Sequence, residues 1–418
     1  MPNLSSFPHV LPMRQRSELI HRSLKRRLAE VLPAAMRAAK IDAWLIICQE
    51  DNLDPIFTTM IPMDTWCPIL QILLFIDHGD RVEGFNISGT NTHDLYTRPY
   101  AGQLVEEQWR IMREVLAEHD PQRIGVNTGS VQWAAGGLTL SLHRQLQERL
   151  PERIVERFVS AERAAIHWAT TLTENDLLHY EHVCQVAHRV IAECYSRAVI
   201  VPGVTTLDDL MWGYWQRCTD LGFTQAFKPS FRLIRSSEAV VRHGADDRVI
   251  RPGDFIHCDV GFQYLGLNSD HQQIAYVLRP GETDAPEGFR ALLNEAGRLQ
   301  EIYMHAFAVG LSGDELLAKV LTAARVAGIP GPKVYSHSVG FFLHEPGPLI
   351  GLPWEQGSNP GRGDVRLTPN SCFTMELSVE GFVPEWNEPV RLPLEEIVHF
   401  DGVSCRPLDR RQERFHFL

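Results

Sequence analysis

Five side chains in the second half of the chain have the types and order to hold metal ions together. They are Asp259, Asp270, His337, Glu376 and Glu395, with a further imidazole at His344. Four carboxylates and one imidazole form an oxygen-rich donor set, about what two divalent cations need to share one pocket. If the five converge, the chemistry is that of a two-metal hydrolase. If they do not, the rest of the sequence says little about chemistry, because each residue has a plainer reading. Asp259 and Asp270 could be solvated turn aspartates. A lone histidine in an apolar stretch is usually a hydrogen-bonded core residue. Glu395 beside Glu396 could lie on a solvated edge strand. Glu376 is harder to dismiss, because Cys372–Leu377 reads as a strand that buries it, and a buried glutamate needs a cation or strong hydrogen bonds.

The elements that must position these groups can be read from pattern. Phe255–Val260 follows the turn Arg251-Pro252-Gly253-Asp254 and reads as a strand. Alternation puts Phe255, His257 and Asp259 on one face and Ile256, Cys258 and Val260 on the other. Gly261 and Gly266 bracket a turn, after which the chain returns as Asp270–Val277. Two such antiparallel strands can bring Asp259 and Asp270 side by side. Carboxylates that close repel or share a proton unless a cation lies between them. His337 and His344 frame the apolar run 338–343, and Pro348 excludes an H-E-x-x-H zinc helix there.

Further elements are expected on both sides of this region. Helical spacing covers 14–40, 104–117 and 137–150, with strands over 42–48, 69–76, 81–87 and 123–126. Alternating strands and helices predict a small α/β domain over residues 1–165, and no catalytic constellation is found in it. Helices are expected over 174–198, from the Thr205-Thr206 cap to Leu221, over 286–309, and from Ser312-Gly313-Asp314-Glu315 to Ala327. With the strand patterns between them they predict an α+β domain over 166–418, with helices outside a curved antiparallel sheet.

Bulk properties bound the function. A chain of 418 residues is long for one core, so two domains are expected. The net charge of −12 argues against nucleic acid or an anionic membrane as main partner. No stretch of about 18 apolar residues suggests a membrane span, and residues 1–13 do not read as a signal peptide. The eight scattered cysteines form no C-x-x-C pair and read as buried reduced thiols of a cytoplasmic protein. Asn86-Ile87-Ser88 and the Arg362-Gly363-Asp364 triplet read as chance matches to a glycosylation acceptor and an adhesion motif.

Order and spacing make the set specific. Arg242-His243-Gly244, Arg251–Asp254, Asp259-Val260-Gly261 and Ser269-Asp270 are followed by His337-x-x-Gly340-x-x-x-His344-Glu345, Glu376 and Leu394-Glu395-Glu396. Over roughly residues 170–405 this resembles the M24 metallopeptidases, which include methionine aminopeptidase, aminopeptidase P and prolidase, with the non-peptidase creatinase. The N-terminal segment is similar to the extra domain of the prolidase, aminopeptidase P and creatinase branch. The resemblance implies a "pita-bread" C-terminal domain and a creatinase-like N-terminal one. It implies two divalent metal ions, manganese first, with cobalt, iron or zinc as alternatives. Asp259 would chelate one metal, Asp270 and Glu395 would bridge both, and His337 and Glu376 would complete the second site. Glu376 would also move the proton, while His243 and His344 would be non-ligand histidines that hold substrate and stabilise the tetrahedral intermediate.

Three departures stand out. Gln272 occupies the position where the family commonly has threonine, two residues after the second aspartate. Ser336 precedes His337 where glycine is frequent. The segment after Glu395 is shorter than usual, which leaves Glu396 as the alternative last ligand. The expected activity is hydrolysis of Xaa-Pro peptides, as a dipeptidase or aminopeptidase. The alternative is a non-peptidase enzyme acting on a small metabolite, and a catalytically dead binding module comes third. A homodimer is expected, with a small peptide or small molecule as substrate.

Overall fold

The computed structural model of the chain describes residues 7–100, 102, 104–130 and 135–418. They form two compact units. One comprises residues 11–176 with 345–347, and the other residues 7–10, 177–344 and 348–418. The division after Asp176 lies beyond the boundary expected at 165/166, which falls inside a helix, Glu162–Thr170. That helix belongs with the first unit because it packs on the N-terminal helix. The Arg27 guanidinium stacks on the Trp168 ring at 4.5 Å and donates to the Thr171 carbonyl at 2.6 Å.

In the first unit the strands are β1 (Ala43–Gln49), β2 (Leu70–Asp77), β3 (Val82–Asn86), β4 (Ile124–Val126) and β5 (Phe158–Ser160). The helices are α1 (Met13–Ala39), α2 (Pro55–Thr58), α3 (Val105–His119), α4 (Leu140–Arg149), α5 (Glu152–Val155) and α6 (Glu162–Thr170). The sheet order is β3-β2-β1-β4-β5, with β1, β4 and β5 parallel and β2 and β3 antiparallel to their neighbours. Leu45, Ile47, Ile72 and Leu74 from the sheet meet Trp109, Met112 and Leu146 from the helices in one apolar core. The expected α1, β1–β4, α3 and α4 are present. The short α2, α5 and α6 carry too few turns for a periodic signal.

The second unit holds α7 (Glu174–Cys194, entering from the first unit), α8 (Leu207–Asp220), α9 (Ser237–His243), α10 (Glu287–Ala306) and α11 (Gly313–Val326). Its strands are β6 (Thr224–Gln225), β7 (Ser230–Ile234), β8 (Phe255–Val260), β9 (Phe262–Tyr264), β10 (Leu267–Asn268), β11 (His271–Tyr276), β12 (Lys333–His337) and β13 (Leu349–Ile350). The last four are β14 (Ser371–Val383), β15 (Glu388–Phe400), β16 (Cys405–Pro407) and β17 (His416–Phe417). The main sheet runs β13-β12-β14-β15-β11-β8-β7, with β16 on β15 and β17 on β11, and a small sheet runs β10-β9-β6. This is the α+β architecture expected. Phe289, Leu292, Leu299 and Tyr303 of α10 and Leu316, Leu317 and Val320 of α11 share a core with Met375, Leu377 and Val379 of β14.

The helix starts are chemically marked. Thr206 accepts from the Asp209 N–H while Asp209 accepts from the Thr206 N–H, and Ser312 and Glu315 do the same at α11. All eight cysteines are free thiols, seven of them buried. Among the described residues no helix is long and apolar enough to cross a membrane. Loss of the α11 cap in Ser312→Ala is expected to lower stability by about 1 kcal/mol. That would appear as a lower urea midpoint with an unchanged slope.

Candidate metal centre

One row of side chains crosses the main sheet. Ser230 on β7 stands opposite Asp259 on β8, and Asp259 opposite Gln272 on β11. Gln272 then stands opposite Glu395 on β15, Glu395 opposite Glu376 on β14, and Glu376 opposite Tyr335 on β12. Opposed residues in a ladder share a face, so this row presents three of the carboxylates on one side of the sheet. Asp270 lies two residues before Gln272 and His337 two after Tyr335, which puts both on the same side. Gln272, not Asp270, is therefore the direct partner of Asp259, and Asp270 lies diagonal to it.

Asp270, His337 and Glu395 are buried, and one ligand atom from each lies within 4.8 Å of the others. His337 Nε2 stands 3.7 Å from Asp270 Oδ2. Its Nδ1 donates to the Ser338 carbonyl at 3.1 Å, which fixes the tautomer and leaves the Nε2 lone pair facing the carboxylates. Burial holds the imidazole neutral by pushing its pKa down to about 3. The His344 ring meets His337 edge-on at 4.4 Å, so the second histidine of the run borders the group. Burial, then the charge of Arg362, lowers the His344 pKa.

The carboxylates strain against one another. Burial raises Asp259 to about 6, opposed by the Arg232 charge. Burial raises Glu376 to about 7, and the charge of Asp259 adds to the rise. Asp270 and Glu395 are pushed well above the usual carboxylate range, first by burial and then by their acidic neighbours. Among the described residues Glu395 Oε1 is buried with no hydrogen-bond partner. A donor set of four crowded carboxyls, one neutral imidazole and an orphaned buried oxygen fits two divalent cations.

Three groups near the site, His257, Arg232 and Arg362, carry little sequence signal, and the first of them acts on Gln272. Gln272 is buried, its Oε1 accepts from His257 Nε2 at 2.9 Å, and its amide works against the burial that raises Glu376 and Glu395. His257, to which the sequence assigns no role, thus orients the amide that stands in the middle of the carboxylate row. Its pKa falls to about 3 by burial, so it serves as a neutral donor. Arg232 and Arg362 bring positive charge to the edges of the site, felt by Asp259 and Glu376 and by His337 and His344 respectively. Alternation on a strand opposite β8 is the signal that could have found Arg232. Arg362 sits in the triplet read as a chance match, and only the fold brings it close. His243 ends α9, is exposed, and makes no hydrogen bond or ion pair with the five grouped residues. Glu396 is buried on the opposite face, beside His188 and His271.

Removal of metal has a signed effect on stability. These carboxyls have higher pKa values in the folded chain than in the unfolded one. Without metal, their contribution is full below the unfolded values near 4 and is lost as pH rises through about 6 for Asp259 and about 7 for Glu376. In chelator, the melting temperature is expected to fall between about pH 4.5 and pH 8, and saturating divalent cation should cancel the fall. A melting temperature that chelator leaves independent of pH over that range contradicts the grouping.

Comparison with known proteins places this geometry. No curated protein matches the chain at a significant level. Among solved structures, an X-Pro aminopeptidase from Thermotoga maritima is 17% identical with a TM-score of 0.64, over 92% of this chain and 100% of its own. An Xaa-Pro dipeptidase from Bacillus anthracis is 16% identical with a TM-score of 0.59, over 95% and 100%. A prolidase from Pyrococcus furiosus is 15% identical with a TM-score of 0.53, over 92% and 99%. At such identities they show the fold, and they share it over nearly their whole lengths. The profile of metallopeptidase family M24 matches residues 179–403, more than half of the chain and all five grouped residues. The chain belongs to metallopeptidase family M24.

Proposed function

We propose that the chain hydrolyses the Xaa-Pro bond of short peptides, using two divalent cations held by Asp259, Asp270, His337, Glu376 and Glu395. The observation that carries this is the crowded carboxylate row closed by a neutral imidazole in a family M24 chain. The choice of bond is supported by the X-Pro aminopeptidase, Xaa-Pro dipeptidase and prolidase structures that match both units. Asp259, Asp270, His337, Glu376 and Glu395 would hold the cations, with Asp270, His337 and Glu395 already within reach of one common point. Manganese is the proposed occupant, ahead of cobalt, iron and zinc, because one imidazole against four carboxylates favours harder ions. When bound, the cations supply an acidified water and polarise the scissile carbonyl.

The chain's own groups do the rest. Glu376, with its carboxyl raised to about 7 by burial, is poised to take a proton and return it to the leaving prolyl nitrogen. His344 borders the site, with its edge exposed, and donates to the carbonyl oxygen as charge develops there. His243, exposed at the end of α9, holds the substrate from outside the carboxylate group.

Cleavage of a small metabolite is the alternative that Gln272 favours. Its buried amide is longer than the usual threonine and stands between Asp259 and Glu395 in the ladder, so it takes space at the centre of the site. Protein reconstituted with manganese and offered Xaa-Pro dipeptides, Xaa-Pro-Xaa peptides and small amidino or sulfonium metabolites separates the two. Turnover of the peptides supports the peptidase; turnover of a metabolite alone replaces it. Glu376→Gln is expected to lower kcat by about 100- to 10,000-fold, and His344→Ala by about 100- to 1,000-fold. Peptide cleavage that survives Asp259→Asn unchanged rules out the two-metal mechanism.

A further inference from the structure

Adjacent residues on a strand project to opposite faces, so the neighbours of Asp270 and Glu395 point away from the catalytic row. These neighbours are His271 and Glu396, and on the other face they meet His188 of α7. His188, His271 and Glu396 are all buried and each offers a ligand atom within 4.8 Å of the others. His271 is 1% exposed, its Nε2 faces Glu396 Oε2 at 3.7 Å, and its ring meets His188 edge-on at 4.8 Å. Among the described residues neither nitrogen of the His271 ring has a hydrogen-bond partner. An imidazole buried in that state forfeits the hydration of both nitrogens and gains nothing in return.

The other two groups already have the outer partners that metal ligands require. His188 Nδ1 donates to Asp409 Oδ2 at 2.6 Å. Glu396 Oε1 accepts from Gln273 Nε2 at 3.0 Å, and Gln273 Oε1 is in turn held by His416 Nε2 at 2.8 Å. A carboxylate on the far nitrogen of an imidazole is the usual device that fixes the tautomer and aim of a metal-bound histidine.

From this geometry we propose a third metal site, made by His188 Nε2, His271 Nε2 and Glu396 Oε2, which takes one zinc ion on the face of the sheet opposite the catalytic row. Two imidazoles and one carboxylate form a softer set than the catalytic one, and a set of this composition suits zinc. The ion ties α7 to β11 and β15 directly behind the catalytic carboxylates, so it stiffens the strands that carry them. Without metal the slot holds a proton between His188 Nε2 and Glu396 Oε2, which lie 2.6 Å apart. Zinc uptake therefore releases that proton to solvent, and the two atoms part by about 0.7 Å, which two bonds of roughly 2 Å at a tetrahedral angle demand.

Crystals of the whole chain grown with zinc and measured at the zinc absorption edge test the site directly. The expected result is an anomalous peak about 2 Å from His188 Nε2, His271 Nε2 and Glu396 Oε2, besides any peak at the carboxylate row. Peaks at the row with none between His188 and His271 overturn the proposal. Metal content by mass spectrometry after dialysis against zinc gives a second readout. One equivalent per chain should be lost in His271→Asn and in His188→Gln, and affinity at that site should fall about 10- to 100-fold in Asp409→Asn. A metal content that neither histidine substitution changes also overturns it. Neither readout depends on which substrate the catalytic row accepts.

Discussion

The constraint on which the second unit depends is electrostatic. The sheet brings four carboxyl groups to one face, two of them buried and two half-buried, where burial lifts every one above its ordinary range and acidic neighbours add to the rise at Asp270, Glu376 and Glu395. A fold that stabilised itself by apolar packing alone would have no use for this arrangement, because replacing buried charges by well-packed apolar groups is often neutral or stabilising. The crowding becomes favourable only when positive charge enters. Packing by α10 and α11 on β14 supplies the stability against which that local cost is carried.

Within the crowded row, Gln272 has an unusual position. It is the one uncharged member between Asp259 and Glu395, and His257 holds its carbonyl oxygen. A threonine hydroxyl could donate one hydrogen bond there from a shorter stem, whereas an amide can donate two and reaches further. The pair His257–Gln272 thus sets the width of the site and the geometry of its acids at the same time.

Much of this was legible in the sequence, and the parts that were not share a cause. Alternation placed His257 and Asp259 on one face without any knowledge of pairing, and the ladder puts both on the side of the carboxylate row. The capping sequences at Thr206 and Ser312 marked helix starts that the structure contains. Register was not legible: the sequence allows Asp270 to stand beside Asp259, while the ladder seats Gln272 there. Long-range approach was not legible either. His188 lies far along the chain from His271 and Glu396, and nothing in its helix distinguishes it from a core histidine until the fold brings α7 against the sheet. Arg362 was hidden in the same way, inside a loop whose composition suggests only exposure.

The long β14–β15 hairpin has a consequence for how the chain can change over time. Its turn at Pro384–Asn387 includes a left-handed Asn387, with φ of 53°, and the ladder continues unbroken from there to Glu395 and Glu396. Those two glutamates are chemically alike and equally buried, so composition does not tell the faces apart; only position does. Loss of one residue between the turn and Glu395 would seat Glu396 in the carboxylate row and turn Ile397 toward His188, while gain of one would seat Glu395 beside His188 and leave Leu394 in the row. Side chains along this stretch can drift within the limits of packing, but its length cannot. Family divergence should therefore be rich in substitutions here and poor in single-residue insertions and deletions.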